Sequence, residues 1–386
     1  MNFKTLLATC LVALCVTSCI KEEALNREAD ILSVTIEDDG FLVDLPNAHT
    51  NEISLVVDVD KAEFKARYQS GKIIPTIEVS PKATISPASG ETVELSDYKY
   101  IYTVTSEEGR TKDYVVEVIP YNPLIQGFED WLIVNPNSKR PYEIPKDPMW
   151  VNANQGVNIL YKGDFFPTRS IDQWRPGSGG RKSVLLETVR GNRNSEVGVM
   201  DIPVYAGSMY RGKFAIKDAL KDPLSTTLFG QPHPKDLGKP LVLVAYYKYK
   251  SGSPYLSYEG GVKDIKDVKE DSKRKDEPDI YAILYKVPKN AGKNVYLTAN
   301  DIKTSDKIVA TAILEDTSEK ENWEYLTLKF DYKEEVNFDL HDYKLAVVLS
   351  SSTDGAMYQG AVGSQLIVDD LRIVCEEDED KDDFLK

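Results

Sequence analysis

Short apolar runs with the alternation of β-strands, rather than helical periodicities, occupy most of this 386-residue chain. Representative runs are residues 31–36, 53–59 and 100–106, and segments rich in glycine, proline and aspartate separate them. Beyond residue 120 the runs are longer and more aromatic, and no segment there has the period of an amphipathic helix of three turns. The 22 tyrosines, 20 prolines and 23 glycines also favour strands and turns. The pattern predicts an all-β fold.

The spacing of these runs predicts two β-sandwiches in series. Five or more short strands in residues 28–120 are typical of an immunoglobulin-like β-sandwich. Two prolines within Pro120–Pro123 interrupt the hydrogen bonding of both helices and ladders, and they mark a boundary. Eight or more longer strands in residues 121–375 fit a double-sheet jelly roll of the galactose-binding-like type. The chain is long enough for two domains with separate cores.

Two strongly charged segments lie outside the predicted strands. Residues 262–278 are crowded with Lys, Asp and Glu, which predicts a mobile insertion loop, with an acidic ion-binding loop as the alternative. Residues 376–386 form an acidic tail that is expected to be disordered. Neither segment is apolar enough to belong to a core.

The first 18 residues have the layout of an export signal. Lys4 precedes a short apolar run at residues 6–16, and small residues come just before Cys19. This layout resembles a bacterial lipoprotein signal, which implies cleavage before Cys19, acylation of that residue and a polar tether at residues 19–27. Lys21-Glu22-Glu23 also resembles the acidic signal that sends lipoproteins of gut Bacteroidetes to the outer face of the outer membrane. The alternative is an uncut membrane helix, which would need about 20 apolar residues.

Charge and cysteine content exclude several classes of function. The chain carries a net charge of −15, and loss of the signal peptide removes one cation, Lys4, and no acid. An anionic surface opposes binding to nucleic acid or anionic lipid, so membrane contact is expected through the lipid anchor alone. Only Cys19 and Cys375 remain after cleavage, and acylation consumes the first, which leaves no disulfide and no cysteine zinc site. The three histidines are too few for a His-rich metal centre.

Several phrases in the C-terminal half are characteristic of a known family. They are Gly-Phe-Glu-Asp-Trp at 127–131, Asp-Ile-Tyr-Ala at 279–282, Val-Leu-Ser-Ser-Ser-Thr-Asp-Gly at 348–355, and the run at 358–371 that ends in Val-Asp-Asp-Leu. Together they resemble the putative carbohydrate metabolism domain family of Bacteroidetes lipoproteins. The resemblance implies an Ig-like module followed by a jelly roll, and a role in glycan binding or hydrolysis. It supplies no catalytic signature that can be carried over.

Two acidic pairs stand at the predicted first and last strands of the C-terminal domain. Phe128-Glu129-Asp130 and Val368-Asp369-Asp370 resemble the paired terminal strands of galactose-binding-like jelly rolls, whose acidic groups hold a structural calcium ion. Hard oxygen ligands suit calcium, so Glu129, Asp369 and Asp370 are the candidate ligands. The alternative is that one acid of each pair is a surface charge and the other pairs with Arg or Lys.

Aromatic residues in loops are the expected sugar contacts, because sugar rings present apolar C–H faces edged by hydroxyls. Trp150 and Trp174 lie in loop-like sequence, where an aromatic side chain is less obliged to be core. A sugar platform also needs flanking carboxylates, amides or Arg, and Arg175 follows Trp174. These three residues are the candidate ligand-binding set. The alternative for the tryptophans is a place in the core.

Three acids embedded in or beside apolar strand sequence are candidates for catalysis, namely Glu187, Asp201 and Asp279. Hydrolysis of a glycosidic bond usually requires two carboxyl groups, and a buried one with a raised pKa can act as the general acid. The alternative for each is a structural role, with the carboxylate satisfied by a backbone amide or an Arg.

Three functions follow from these candidates. The favoured one is a non-enzymatic glycan-binding lipoprotein of the cell surface, with an open aromatic face and no close pair of carboxylates. The second is a glycoside hydrolase with two acids facing each other in a deep cleft. The third is a structural adhesin or scaffold that binds protein and buries its loop aromatics. The lack of a nucleophile motif or cofactor fingerprint argues against ester or peptide hydrolysis and against redox chemistry.

Overall fold

The computed structural model describes residues 25–36, 51–57, 71–96, 99–120, 124–191, 201–215, 222–289 and 295–385. The predicted signal peptide and the predicted lipidation residue Cys19 lie outside these ranges. No helix among the described residues is long and apolar enough to cross a membrane. Strands dominate the described chain, which confirms the all-β prediction.

The N-terminal part is a small sandwich of short strands. Its strands are β1 (Ile31–Thr35), β2 (Glu52–Val57), β3 (Lys72–Ile73), β4 (Thr76–Val79), β5 (Thr84–Ser86), β6 (Val93–Glu94), β7 (Lys99–Thr105) and β8 (Thr111–Pro120). One sheet has the order β2-β8-β7-β5, and β1-β4 and β3-β6 form antiparallel pairs. Alternation along β7 buries Tyr102 and Val104 and exposes Ile101. Val34, from the β1-β4 pair, belongs to the same core.

The described residues of the C-terminal part form longer strands, two short α-helices and three 3₁₀ turns. Its first strands are β9 (Ile125–Gln126), β10 (Trp131–Val134), β11 (Tyr142–Pro145), β12 (Trp150–Asn152), β13 (Thr168–Ile171), β14 (Ser183–Glu187), β15 (Val189–Arg190), β16 (Val204–Tyr205) and β17 (Ser208–Phe214). Its later strands are β18 (Thr227–Phe229), β19 (Gln231–His233), β20 (Pro240–Lys250), β21 (Tyr255–Glu259), β22 (Lys266–Asp271), β23 (Asp279–Pro288), β24 (Ile308–Ile313), β25 (Lys320–Lys329), β26 (Asp331–Tyr332), β27 (His341–Ser350), β28 (Gly360–Ala361) and β29 (Gln365–Cys375). The helices are α1 (Asn154–Leu160) and α2 (Lys381–Phe384).

Two large sheets face each other in this part and form the predicted sandwich. The eight-stranded sheet has the order β12-β17-β27-β23-β24-β26, with β18 and β19 added to β17 and β27. The six-stranded sheet has the order β13-β14-β29-β20-β25, with β9 added to β29. Leu243 and Tyr247 from β20 meet Ile280 from β23 and Leu345 from β27 in one cluster. This core is separate from the N-terminal one.

The outer face of the eight-stranded sheet is also buried. Tyr281, Ile283 and Tyr285 of β23 point away from the sandwich core into a second cluster, which residues 222–229 and 295–308 help to cover. Phe229 and Leu297 join these covering segments through a backbone hydrogen bond of 2.7 Å. Burial on both faces explains why β23 and β27 read as nearly continuous apolar sequence.

The charged segment 262–278 is more regular than the predicted insertion loop. Residues Lys266–Asp271 form β22, which pairs with β21 in a three-stranded sheet completed by β28. All six residues of β22 are exposed. Cross-strand pairing, including a Lys269–Glu259 ion pair at 2.5 Å, orders a segment that composition alone assigns to a loop.

The acidic tail is folded in the structure and not disordered as predicted. Arg372 on β29 forms two hydrogen bonds with the carboxylate of Asp380, at 2.6 and 2.7 Å. Phe384 of α2 packs on the apolar strip of Val242, Val244 and Val374. An apolar surface strip and a positive charge on the neighbouring strand therefore provide binding partners that composition does not reveal.

His233 should make the sandwich sensitive to acid. Its ring is buried, its Nε2 atom lies 2.7 Å from the carbonyl oxygen of Gly238, and burial together with the charge of Arg211 lowers its pKa from 6.5 to about 4. Between pH 4 and pH 6.5 the unfolded chain therefore binds more protons at this residue than the folded chain does. The contribution of the neutral His233 ring to the free energy of unfolding is intact above pH 6.5 and is lost as the pH falls to about 4. The expected loss is about 3 kcal/mol.

Urea unfolding of wild type and His233→Gln at several pH values measures this contribution. The variant should lack that part of the pH dependence, because glutamine does not titrate. Equal pH dependence in the two proteins would contradict the assignment to His233.

Candidate ligand-binding pocket

A pocket of about 180 Å³ lies on the outer face of the eight-stranded sheet. Helix α1, strands β16, β17 and β23, the turn at Pro223–Ser225 and the loop after β27 form its walls. Most of the wall is apolar, and six aromatic side chains contribute to it: Tyr205, Tyr210, Phe214, Phe229, Tyr281 and Tyr358. Concave, largely apolar sites with a few polar groups are typical of small-molecule binding.

Helix α1 is held over the pocket by a buried amide and a glycine. The Nδ2 atom of Asn154 donates to the carbonyl oxygens of Glu143 and Thr168, at 2.9 and 2.7 Å. A Cβ atom on Gly156 would lie 2.5 Å from the ring of Phe214, so a larger residue would force that ring to move. Both features fix one wall of the pocket.

Asp279 is the acid of this pocket. It begins β23, its side chain is 15% exposed, and its Oδ2 atom lies 2.7 Å from the Nζ atom of Lys303. Burial raises the pKa of Asp279 and the negative charge of Asp354 adds to the rise, although Lys303 opposes both. Among the described residues that line the pocket, Asp279 is the sole carboxylate.

A buried acid that sequence analysis missed fixes the loop beside the pocket. Both oxygens of Asp276 accept from the Ser352 hydroxyl, and Oδ2 also accepts from the Ala361 N–H and the Ser364 hydroxyl, at 2.7 to 2.8 Å. Ser352 itself lines the pocket. Asp276 lies at the end of the charged segment 262–278, where its neighbours give no sign of burial.

The other two candidate catalytic acids do not lie with Asp279. Glu187 is on β14 of the six-stranded sheet, where its carboxylate pairs with Arg169 at 2.5 Å. Asp201 is not among the residues that line the pocket, and neither is Glu187. The three acids that the sequence singled out therefore do not converge on one site.

The two candidate tryptophans have opposite environments. Trp150 is 2% exposed and packs edge-on against Phe128, with ring centroids 6.3 Å apart, inside the sandwich core. Its sequence is loop-like, but β12 pairs with β17 and turns the ring inward, so Trp150 cannot present a face to a sugar. Trp174 is 43% exposed.

Arg175, the residue after Trp174, connects its loop to the six-stranded sheet. Its guanidinium lies 4.4 Å from the ring centroid of Tyr246, and its Nε atom is 2.6 Å from the Asp370 carboxylate. Tyr246 in turn lies against Tyr325, which is 47% exposed, with centroids 5.0 Å apart. We call Trp174, Arg175, Tyr246 and Tyr325 the aromatic face.

The proposed calcium ligands are occupied by protein donors. Both oxygens of Glu129 accept from the Arg181 N–H at 3.0 Å, and Asp369 accepts from the backbone N–H groups of Arg175 and Asp370, both at 2.8 Å. Asp370 pairs with Arg175, whose positive charge opposes a cation. No group of three acidic, histidine or cysteine side chains in the described chain is arranged to hold a metal. A calcium ion at these three residues stays a prediction.

Two parts of the chain match known families. Residues 127–374 match the putative carbohydrate metabolism domain, and residues 48–118 match the SGBP N-terminal domain. With the sandwich fold and the aromatic pocket, these matches define a protein with a role in glycan handling. The chain belongs to the putative carbohydrate metabolism domain family, whose match covers well over half of its length.

Two crystal structures are similar to this chain. A putative glycoside hydrolase from Bacteroides thetaiotaomicron VPI-5482 is 28% identical, with a TM-score of 0.71 over 93% of this chain and 100% of that one. A putative glycoside hydrolase from Bacteroides vulgatus ATCC 8482 is 30% identical, with a TM-score of 0.54 over 66% of this chain and 98% of that one. No curated protein sequence matches the chain.

Proposed function

We propose that this protein is a surface lipoprotein of the outer membrane that binds glycans without cleaving them, and that the pocket beside Asp279 holds the sugar. The observation that carries the proposal is a pocket with six aromatic side chains and a single carboxylate among its described lining residues. The signal-like sequence ending at Cys19 and the SGBP N-terminal match support the surface location.

The chemistry of the pocket suits a sugar ring. Aromatic rings such as Tyr281 and Tyr358 can pack on the apolar C–H faces of the ring. The carboxylate of Asp279 can accept hydrogen bonds from sugar hydroxyls, and bonds to a charged acceptor are stronger than neutral ones. Its ion pair with Lys303 opposes the rise in pKa that burial causes, which favours the charged carboxylate.

Binding is favoured over hydrolysis because Asp279 is the sole carboxylate among the described residues that line the pocket. The neighbouring Asp354 is held by the Tyr255 hydroxyl and by Arg274. Glycosidases usually need two carboxyl groups, about 5 to 9.5 Å apart across the scissile bond. Here Glu187 is held by Arg169 on the other sheet. The similar crystal structures are described as hydrolases, so hydrolysis remains the alternative that the experiment below tests.

Asp279→Asn is expected to weaken glycan binding about 10- to 100-fold, since it removes a charged acceptor at constant volume. A glycan array with the chain lacking residues 1–18 identifies ligands, calorimetry gives affinities, and a reducing-end assay detects cleavage. Asp339→Asn, which changes an exposed acid, is the matched control. Unchanged affinity in Asp279→Asn would contradict the pocket as the site, and new reducing ends lost in that variant would establish a hydrolase instead.

The aromatic face is a second contact for longer glycans in this proposal. Trp174 and Tyr325 are exposed, and Arg175 supplies hydrogen-bond donors beside them. Trp174→Ala should weaken binding to polysaccharides several-fold and leave binding of short oligosaccharides in the pocket unchanged, because the aromatic face lies on the six-stranded sheet, away from the pocket.

A further inference from the structure

Two lysines lie beside the aromatic face, on the outer side of the six-stranded sheet. Tyr247 and Tyr249 of β20 point into the sandwich core. Alternation along the strand therefore directs Tyr246, Lys248 and Lys250 to the opposite side, where Lys248 is half-buried and Lys250 is exposed. Residues two apart on one strand are roughly 7 Å apart, so the lysines continue the row that Tyr246 begins.

Neither lysine is neutralised by the strand next to it. Lys248 is the cross-strand partner of Ile367 on β29, and Lys250 is the partner of Gln365, and both of these residues are uncharged. Neither lysine has an ion-pair partner anywhere in the part of the chain that the structure describes. Both amines are therefore available to a ligand that lies on the sheet.

The acids nearby are paired with other cations. Glu187 of β14 lies opposite Gln365 and is held by Arg169. Asp370 is held by Arg175. The two lysines therefore leave positive charge beside the aromatic face, although the chain has a net charge of −15. Exposed charges more than about 8 Å apart are largely screened at physiological ionic strength, so a ligand here meets the lysines rather than the net charge.

Resting on the proposed role of the aromatic face in binding longer glycans, we propose that this surface selects polysaccharides that contain uronic acids. Tyr325 is 47% exposed and Trp174 is 43% exposed, so both rings can pack on the C–H faces of sugars. A uronic acid carries its carboxylate directly on the sugar ring, and the flexible stem of Lys248 can bring its amine to that group. Hydrogen bonds between an ammonium and a carboxylate are stronger than neutral ones.

Binding to matched polymers tests this inference on the full chain lacking its signal peptide. The probes are polygalacturonate and alginate, each compared with its own carboxyl-reduced form in calcium-free buffer, and dextran sulfate. Calorimetry should show that wild type binds at least one polyuronate about tenfold more tightly than the reduced form of that polymer. The double variant Lys248→Gln/Lys250→Gln should bind the two forms equally.

A second double variant controls for the change in total charge. Lys235→Gln/Lys333→Gln removes the same charge from two exposed residues that lie outside the six-stranded sheet. It should keep the full preference for the polyuronate. Both double variants should unfold at the urea concentration of wild type, because all four side chains are on the surface.

The outcomes distinguish this inference from the proposed function. Equal affinity for polyuronates and their reduced forms, a preference that survives in Lys248→Gln/Lys250→Gln, or tighter binding of dextran sulfate than of either polyuronate overturns the uronate site. Binding of short oligosaccharides that Asp279→Asn weakens would still support the pocket. Absence of binding to every polymer and to every glycan of the array overturns both.

Discussion

Replacing Asp276 with alanine is expected to lower the free energy of unfolding by about 3 to 5 kcal/mol. The carboxylate is buried and accepts from four donors, namely the hydroxyls of Ser352 and Ser364 and the backbone N–H groups of Glu277 and Ala361. Alanine would leave the buried Ala361 N–H and the buried hydroxyls of Ser352 and Ser364 without this acceptor. The loop that carries Ser352 and Thr353 would then lose its position beside the pocket.

Urea unfolding gives the change in free energy, and calorimetry on the folded variant gives the loss of glycan affinity. Glu270→Ala is the control, because Glu270 lies in the same charged segment but is exposed and forms a surface ion pair with Arg190. Its cost should stay below about 1 kcal/mol. A similar cost for the two substitutions would show that the Asp276 network contributes little to stability.

Trp150→Ala should also cost about 3 to 5 kcal/mol, whereas Trp174→Ala should change stability by less than about 0.5 kcal/mol. Trp150 is enclosed by the sandwich core, so truncation leaves a cavity between the sheets. Trp174 has 43% of its surface exposed, so its truncation leaves no cavity in the core. The two tryptophans therefore serve as matched controls for each other.

The pair is measured by denaturant unfolding with circular dichroism, which does not depend on tryptophan signal. Trp150→Phe should recover a large part of the loss, because it restores much of the buried volume. A large loss of stability for Trp174→Ala would contradict its assignment to the surface.

The strands were predictable because alternation and turn residues are local. The run at 100–106 buries every second residue, and β7 follows it closely. The folding of the acidic tail could not be predicted from the sequence. The ion pair of Asp380 with Arg372 and the packing of the tail depend on a surface that β20 and β29 form together. Contacts with residues distant in the sequence determine whether such a segment is ordered, and amino-acid composition does not reveal those contacts.

The site was only partly predictable for the same reason. Asp279 stands out as an acid at the start of an apolar strand, and it does line the pocket. Tyr205 does not stand out among 22 tyrosines in the sequence, although it lines the pocket. Trp150 had a loop-like sequence, yet the register of β12 with β17 decided its burial.

Burial of the eight-stranded sheet on both faces also limits how this protein can evolve. Most positions of β23 and β27 are packed on one side or the other, so few of their substitutions would be neutral. Much of the rest of the pocket wall comes from residues 153–160, 202–206, 223–227 and 352–358, which lie largely outside the central strands. Divergence in ligand preference among relatives should therefore accumulate in these connections, while the central strands change slowly.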